Sequence, residues 1–185
     1  YRIAEDKRVL LPVMPCLDGF VLTHTVEPVE IPEQQDVDSF LPPYEPDVIL
    51  DPARPVMIGT FMPAEYIMEL RRQTAGAVES AKKVIQEVND EFATRFGRDY
   101  GGLFDTYQMD DAEAALVTMG TVTSTSRQVV DELRQEGKKV GLIKLRFFRP
   151  FTSEELKNAL KDTAAVGVVD RSLSFIGGGQ AFNEV

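Results

Sequence analysis

Apolar residues recur at steps of three and four between residues 64 and 97: Ile67, Leu70, Thr74, Val78, Ala81, Ile85, Val88, Phe92 and Phe96. This spacing lines them up on one stripe of a 3.6-residue helix. Glu69, Arg72, Lys82, Lys83, Glu87 and Glu91 take the opposite face. Pro63 and Gly97 are suitable start and stop residues. At ~1.5 Å per residue the helix would reach ~50 Å, longer than a compact domain needs. Gly76 is where an interruption would fall. Such a stripe predicts core or subunit contact rather than a cofactor site.

Residues 103–185 change period. Ala114 through Met119 is a continuous apolar strand, and residues 140–145 and 164–170 are the next two strands. A helix carrying Val129, Val130 and Leu133 and ending at Gly137 follows the first run. After Pro150, Thr152-Ser153-Glu154-Glu155 opens a second helix as a capping box. Gly177-Gly178-Gly179 leads into a final helix. Apolar strands alternating with helices predict an α/β fold: a parallel sheet with helices on both faces and right-handed crossovers. No internal repeat is visible.

Nine prolines between Pro12 and Pro55 set residues 1–55 apart. Proline removes a backbone donor and forces its predecessor into extended geometry, which excludes a regular helical unit. A buried strand over 9–14 and a short helix over 33–40 are expected, with extended segments between. The expected organisation is a domain tail plus linker over 1–55, then an α/β domain over 56–185 that includes the long helix. Tyr1 in place of Met, and an end immediately after a glycine run, suggest an excised piece of a longer polypeptide.

Composition narrows the chemistry. The 185 residues hold 20 Lys plus Arg against 30 Asp plus Glu, a net charge of −10. That acidic balance argues against a nucleic-acid partner, which needs clustered cations. One Cys (Cys16) and one His (His24) are too few for a zinc site of the usual type or an iron–sulfur cluster within this chain. No apolar run approaches the roughly 18 residues of a membrane helix, and a cytoplasmic setting is expected.

Three places could carry chemistry, each with a plainer reading. Gly120, Thr121 and Ser124 lie on a strand-to-helix turn that could hold an anion. The Lys of a phosphate loop is missing, and an ordinary turn with a hydroxyl cap is favoured. Gly177, Gly178 and Gly179 form a second such turn, near Arg171, where close helix–sheet packing is favoured. Asp18, Thr23 and His24 surround the lone imidazole, for which a structural role is favoured. Cys16 reads as an inert core thiol. Asp105, Asp110 and Asp111 read as a solvated loop, and match no calcium loop.

The run Leu11-Pro12-Val13-Met14-Pro15-Cys16-Leu17-Asp18-Gly19-Phe20-Val21-Leu22-Thr23-His24-Thr25-Val26-Glu27-Pro28-Val29-Glu30-Ile31 resembles the alpha subunit of pyruvate:ferredoxin oxidoreductases. So do Val37 to Tyr44, the stretch from Gly120 to Pro150 that closes with Lys144-Leu145-Arg146-Phe147-Phe148-Arg149-Pro150, and Asp170-Arg171-Ser172 with the glycines after it. The resemblance implies a transketolase C-terminal-like domain preceded by the tail of a pyrimidine-binding domain. It implies a thiamine diphosphate enzyme that decarboxylates a 2-oxo acid oxidatively, forms an acyl-CoA and passes electrons to ferredoxin. Thiamine diphosphate, magnesium and 4Fe-4S clusters belong to the intact complex, and none is expected on this chain.

The resemblance places the family's catalytic glutamate upstream and its diphosphate and magnesium motif on another subunit or domain. No catalytic residue therefore transfers to this sequence. The expectation is a non-catalytic portion of the enzyme, serving assembly and active-site shaping. Its partners would be sibling subunits in a homo- or hetero-oligomer, with ferredoxin and CoA acting on the whole. Pyruvate is the expected substrate and a branched-chain 2-oxo acid the alternative. A reading from another class is a regulatory α/β module that binds an anion or CoA.

Overall fold

The structure, a computed structural model, describes residues 1–59, 61–173, 175 and 179–185, apart from the Phe182 side chain. The elements are α1 (Val21–His24), α2 (Gln34–Phe40), a 3-10 turn (Ala64–Tyr66), α3 (Ile67–Phe96), β1 (Phe104–Tyr107), β2 (Ala114–Met119), α4 (Val122–Gln135), β3 (Val140–Leu145), α5 (Ser153–Leu160), β4 (Ala165–Val169) and α6 (Gln180–Glu184). The expected long helix forms, and Gly76 does not interrupt it. It ends at Gly97, whose left-handed backbone (φ 65°) lets its N–H reach the Ala93 carbonyl.

The sheet order is β1-β3-β2-β4. β3, β2 and β4 pair in parallel, as the apolar runs predict. The sheet is not wholly parallel: β1 adds to β3 as an antiparallel edge, with Phe104 opposite Leu145 and Tyr107 opposite Leu142. Asp105, expected in a loop, therefore lies on a strand. The strand was hidden because its four residues, Phe-Asp-Thr-Tyr, carry little apolar signal. Its other side is held by α4. Arg127 pairs with Asp105 at 2.5 Å, and Tyr107 donates its hydroxyl to Asp131 at 2.7 Å.

Alternation along β2 and β3 assigns the two faces. Val117, Ile143 and Leu145 point to one side and pack with Leu156 of α5 and Ala181 of α6. Thr118 points to the other, where its hydroxyl meets that of Thr123 at the start of α4, 2.9 Å away. Helices thus cover both faces. Thr152 precedes α5 as expected, but its hydroxyl bonds the Glu155 carboxylate at 2.7 Å rather than a backbone amide.

A second core joins the long helix to the sheet. Ala81, Val84 and Ile85 are buried with Val9 and Leu103, and Phe104 and Phe147 pack against them. Only this C-terminal half of α3 is enclosed. Residues 64–76 are exposed throughout, including Ile67, Met68 and Leu70.

Residues 9–14 are not a strand. Val9 is buried, but Leu10, Val13 and Met14 are exposed, and no strand pairs with them. Pro12 and Pro15 cannot donate to a ladder. Cys16, expected in a core, is exposed as well. The first nine residues are instead strapped to α3 by Val9 and by Arg8, which pairs with Glu87 at 2.7 Å. α2 returns the chain to the far end of α3, where Phe40 meets Phe92 and Phe96 edge-on at 5.6 Å.

Candidate functional site

β2 ends at Met119, and the chain turns through Gly120 into α4. The turn needs φ 77° at Gly120, a left-handed value that favours glycine. The anion at this helix start comes from the chain itself. Thr121 donates its N–H to the Asp18 carboxylate at 2.7 Å, across 103 residues. Arg171, just beyond β4, donates to the other Asp18 oxygen at 2.8 Å. The Thr121 hydroxyl and N–H, with the Arg171 charge behind them, hold the Asp18 carboxyl below its ordinary range. Ser124 is exposed and donates its N–H back to the Thr121 carbonyl, outside this node.

The second turn repeats the arrangement. Asp170, at the end of β4, accepts the Ala181 N–H of α6 at 2.6 Å and the Ser172 N–H at 2.8 Å. Gly179 is buried, and a Cβ there would collide with the Asp170 side chain. Close packing therefore demands this glycine. Gly177 and Gly178 lie outside the described residues. At each of the two sites, an internal carboxylate receives an amide of the helix start, where helix polarity favours negative charge.

Asp18, Thr23 and His24 do not form one cluster. His24 is exposed, bonds the adjacent Thr23 hydroxyl through Nδ1 at 2.8 Å and stacks on Phe20 at 4.5 Å. Among the described residues, Asp18 supplies the hydrogen-bonded tie between residues 10–33 and the α/β core, and every apolar side chain from Leu17 to Ile31 is exposed. Sequence reasoning singled out Asp18, Thr121 and Arg171 separately. What joins them is contact across 50 to 153 residues, which no local spacing reports.

The family model described as pyruvate flavodoxin/ferredoxin oxidoreductase, thiamine diP-bdg, matches residues 1–90. The model described as pyruvate:ferredoxin oxidoreductase core domain II matches residues 112–185. The chain belongs to the pyruvate:ferredoxin oxidoreductase family. Within it, the chain is similar to the pyruvate synthase subunit PorA of Methanothermobacter thermautotrophicus, 51% identical over all of this chain and 48% of that one. The PorA subunit of Pyrococcus abyssi is 48% identical over 94% of this chain and 44% of that one. An NADH-dependent phenylglyoxylate dehydrogenase alpha subunit from Aromatoleum evansii is 40% identical over 95% and 44%. The chain thus spans about half the length of the curated relatives it matches. A solved 2-oxoglutarate:ferredoxin oxidoreductase from Magnetococcus marinus aligns at TM-score 0.42 and 14% identity, over 63% of this chain and 17% of that one.

The family model over residues 1–90 names thiamine diphosphate. A diphosphate with its magnesium needs clustered oxygen ligands and free amide donors. Among the described residues, no group of three or more His, Cys, Asp or Glu could hold a metal ion. The Thr121 amide already faces the Asp18 carboxylate, whose charge would repel a phosphate. The described residues do not fit the diphosphate end of the cofactor. Among them, no helix is long and apolar enough to cross a membrane.

Proposed function

We propose that this chain is a structural part of a thiamine diphosphate-dependent pyruvate:ferredoxin oxidoreductase that forms acetyl-CoA. In this reading it supports assembly and shapes a wall near the active site, while other parts of the enzyme hold the cofactor, its magnesium and the iron–sulfur clusters. The observation that carries the reading is 51% identity to a pyruvate synthase PorA subunit over every residue of this chain. Residues 1–55 act as a strap and linker, and 56–185 as the α/β unit they cross. Sibling subunits, ferredoxin and CoA are the partners of the whole, in a cytoplasmic setting.

The anion- or CoA-binding reading gains no support from turns whose amides already donate to Asp18 and Asp170. The test is reconstitution. The complete subunit, assembled with its siblings, should reduce a viologen dye only with pyruvate, CoA and thiamine diphosphate all present. The 185-residue chain alone should reduce none. Dye reduction by this chain alone would overturn its supporting role. Preference for a branched-chain 2-oxo acid or phenylglyoxylate over pyruvate would overturn the substrate.

A further inference from the structure

A cavity of about 310 Å³ lies where the first residues of the chain, the end of α2, the C-terminal half of α3 and the segment after β3 meet. Its walls are mainly apolar and aromatic, with Phe40, Val88, Phe92, Tyr100 and Phe147 among them. Two guanidinium groups, Arg2 and Arg146, also line it. A space of this size is at the lower end for small-molecule pockets, which combine apolar walls with a few placed polar groups.

Of the two arginines, Arg146 lacks the counter-ion that a desolvated cation needs. Arg146 is half-buried, and its Nη1 donates to two neutral oxygens, Asn89 Oδ1 at 3.2 Å and the Gly102 carbonyl at 2.8 Å. Among the described residues it has no carboxylate within salt-bridge distance. The nearest acids are engaged elsewhere: Asp105 pairs with Arg127, and Asp99 accepts from Asn89 and Gly101. The rings of Tyr100 and Phe147 flank the guanidinium at 5.4 and 6.0 Å. Desolvation correspondingly lowers its affinity for a proton. Arg2 reaches Glu91 with Nη2 at 3.3 Å, but its Nε is buried and has no acceptor. A desolvated cation without a counter-ion and a buried donor without an acceptor are both costly. A carboxylate in the cavity would supply the counter-ion that Arg146 lacks.

We propose that this cavity binds a small carboxylic acid with a flat apolar body, its carboxylate facing Arg146 and its ring lying among Phe92, Tyr100 and Phe147. The inference goes beyond the proposed enzyme function and does not depend on it. The few polar groups in the lining argue against a phosphate or a dianion. The aromatic walls select a planar body, for which ring contacts are geometrically favoured.

The test uses the complete subunit in its assembly, with naphthoate as the probe and its neutral amide, naphthamide, as the control. Calorimetry should show one saturable naphthoate site, with the amide bound about tenfold more weakly, as a charge-assisted hydrogen bond requires. Arg146→Met, which keeps the aliphatic stem, should bring naphthoate down to the level of the amide. Val88→Trp, which fills the cavity from α3, should remove binding of both and tests the site independently should the arginine variant fail to fold. A thermal melt on each variant checks that the fold is kept. No saturable binding, equal affinity for acid and amide, or binding that survives Val88→Trp would each overturn the proposal. The first result would also arise if protein from outside this chain fills the cavity, and it overturns the proposal in that case too.

Discussion

Asp18 shows how one side chain can place a long segment. Between residues 10 and 33 its carboxylate supplies the hydrogen bonds to the α/β core, through Thr121 and Arg171. Asp18→Ala should therefore free residues 12–31, so that limited proteolysis cuts there severalfold faster while far-ultraviolet dichroism stays unchanged. Asp18→Asn keeps an acceptor but loses the charge and should fall between. The pH dependence has a definite sign. The carboxyl is held below its ordinary value of 3.8, so the tie is fully present above that value and is lost as pH falls below it. Cleavage by an acid-active protease should accelerate below about pH 4 in the parent, with no further change in Asp18→Ala. A flat acid profile in the parent would show that the carboxylate does not hold the segment.

At the scale of elements, what the sequence discloses depends on where each element finds its partners. α3, β2, β3 and β4 are legible because period and continuous apolarity are local signals. β1 was not, since a four-residue edge strand owes its existence to β3 beside it and to Arg127 and Asp131 of α4. Residues 9–14 misled in the other direction, because an apolar run without a neighbouring strand has no ladder to join. The candidate site was half legible. Its glycine turns stood out, but the carboxylates that fill them arrive from distant or differently read positions. α3 itself divides. Ile85 is 2% exposed inside the second core, and Ile85→Ala should cost about 2–5 kcal/mol in denaturant unfolding. Leu70, on the same stripe but 39% exposed, should cost within about 0.5 kcal/mol in this chain. Equal losses at the two positions would show that the N-terminal half of the helix is also packed.

For the whole molecule, the unburied surface carries the argument. Phe20, Val26, Val29, Ile31, Phe61, Met68 and Phe175 are each at least three-quarters exposed. Scattered apolar residues are ordinary on a protein surface, but runs of them along one arm and half a helix mark a contact surface. The relatives are about twice as long as this chain. The expectation is specific to location. Expressed alone, the 185-residue chain should bind an apolar dye and self-associate, and charged substitutions at Met68 and Leu70 together should reduce both. If a complete subunit buries this surface, the same two substitutions should instead impair its assembly, because a buried charge would have no partner. The two outcomes have opposite signs for one pair of substitutions, which separates a covered interface from an incidentally apolar surface. Improved solubility of the chain alone with unimpaired assembly of the complete subunit would mean that this half of α3 faces water in the intact protein.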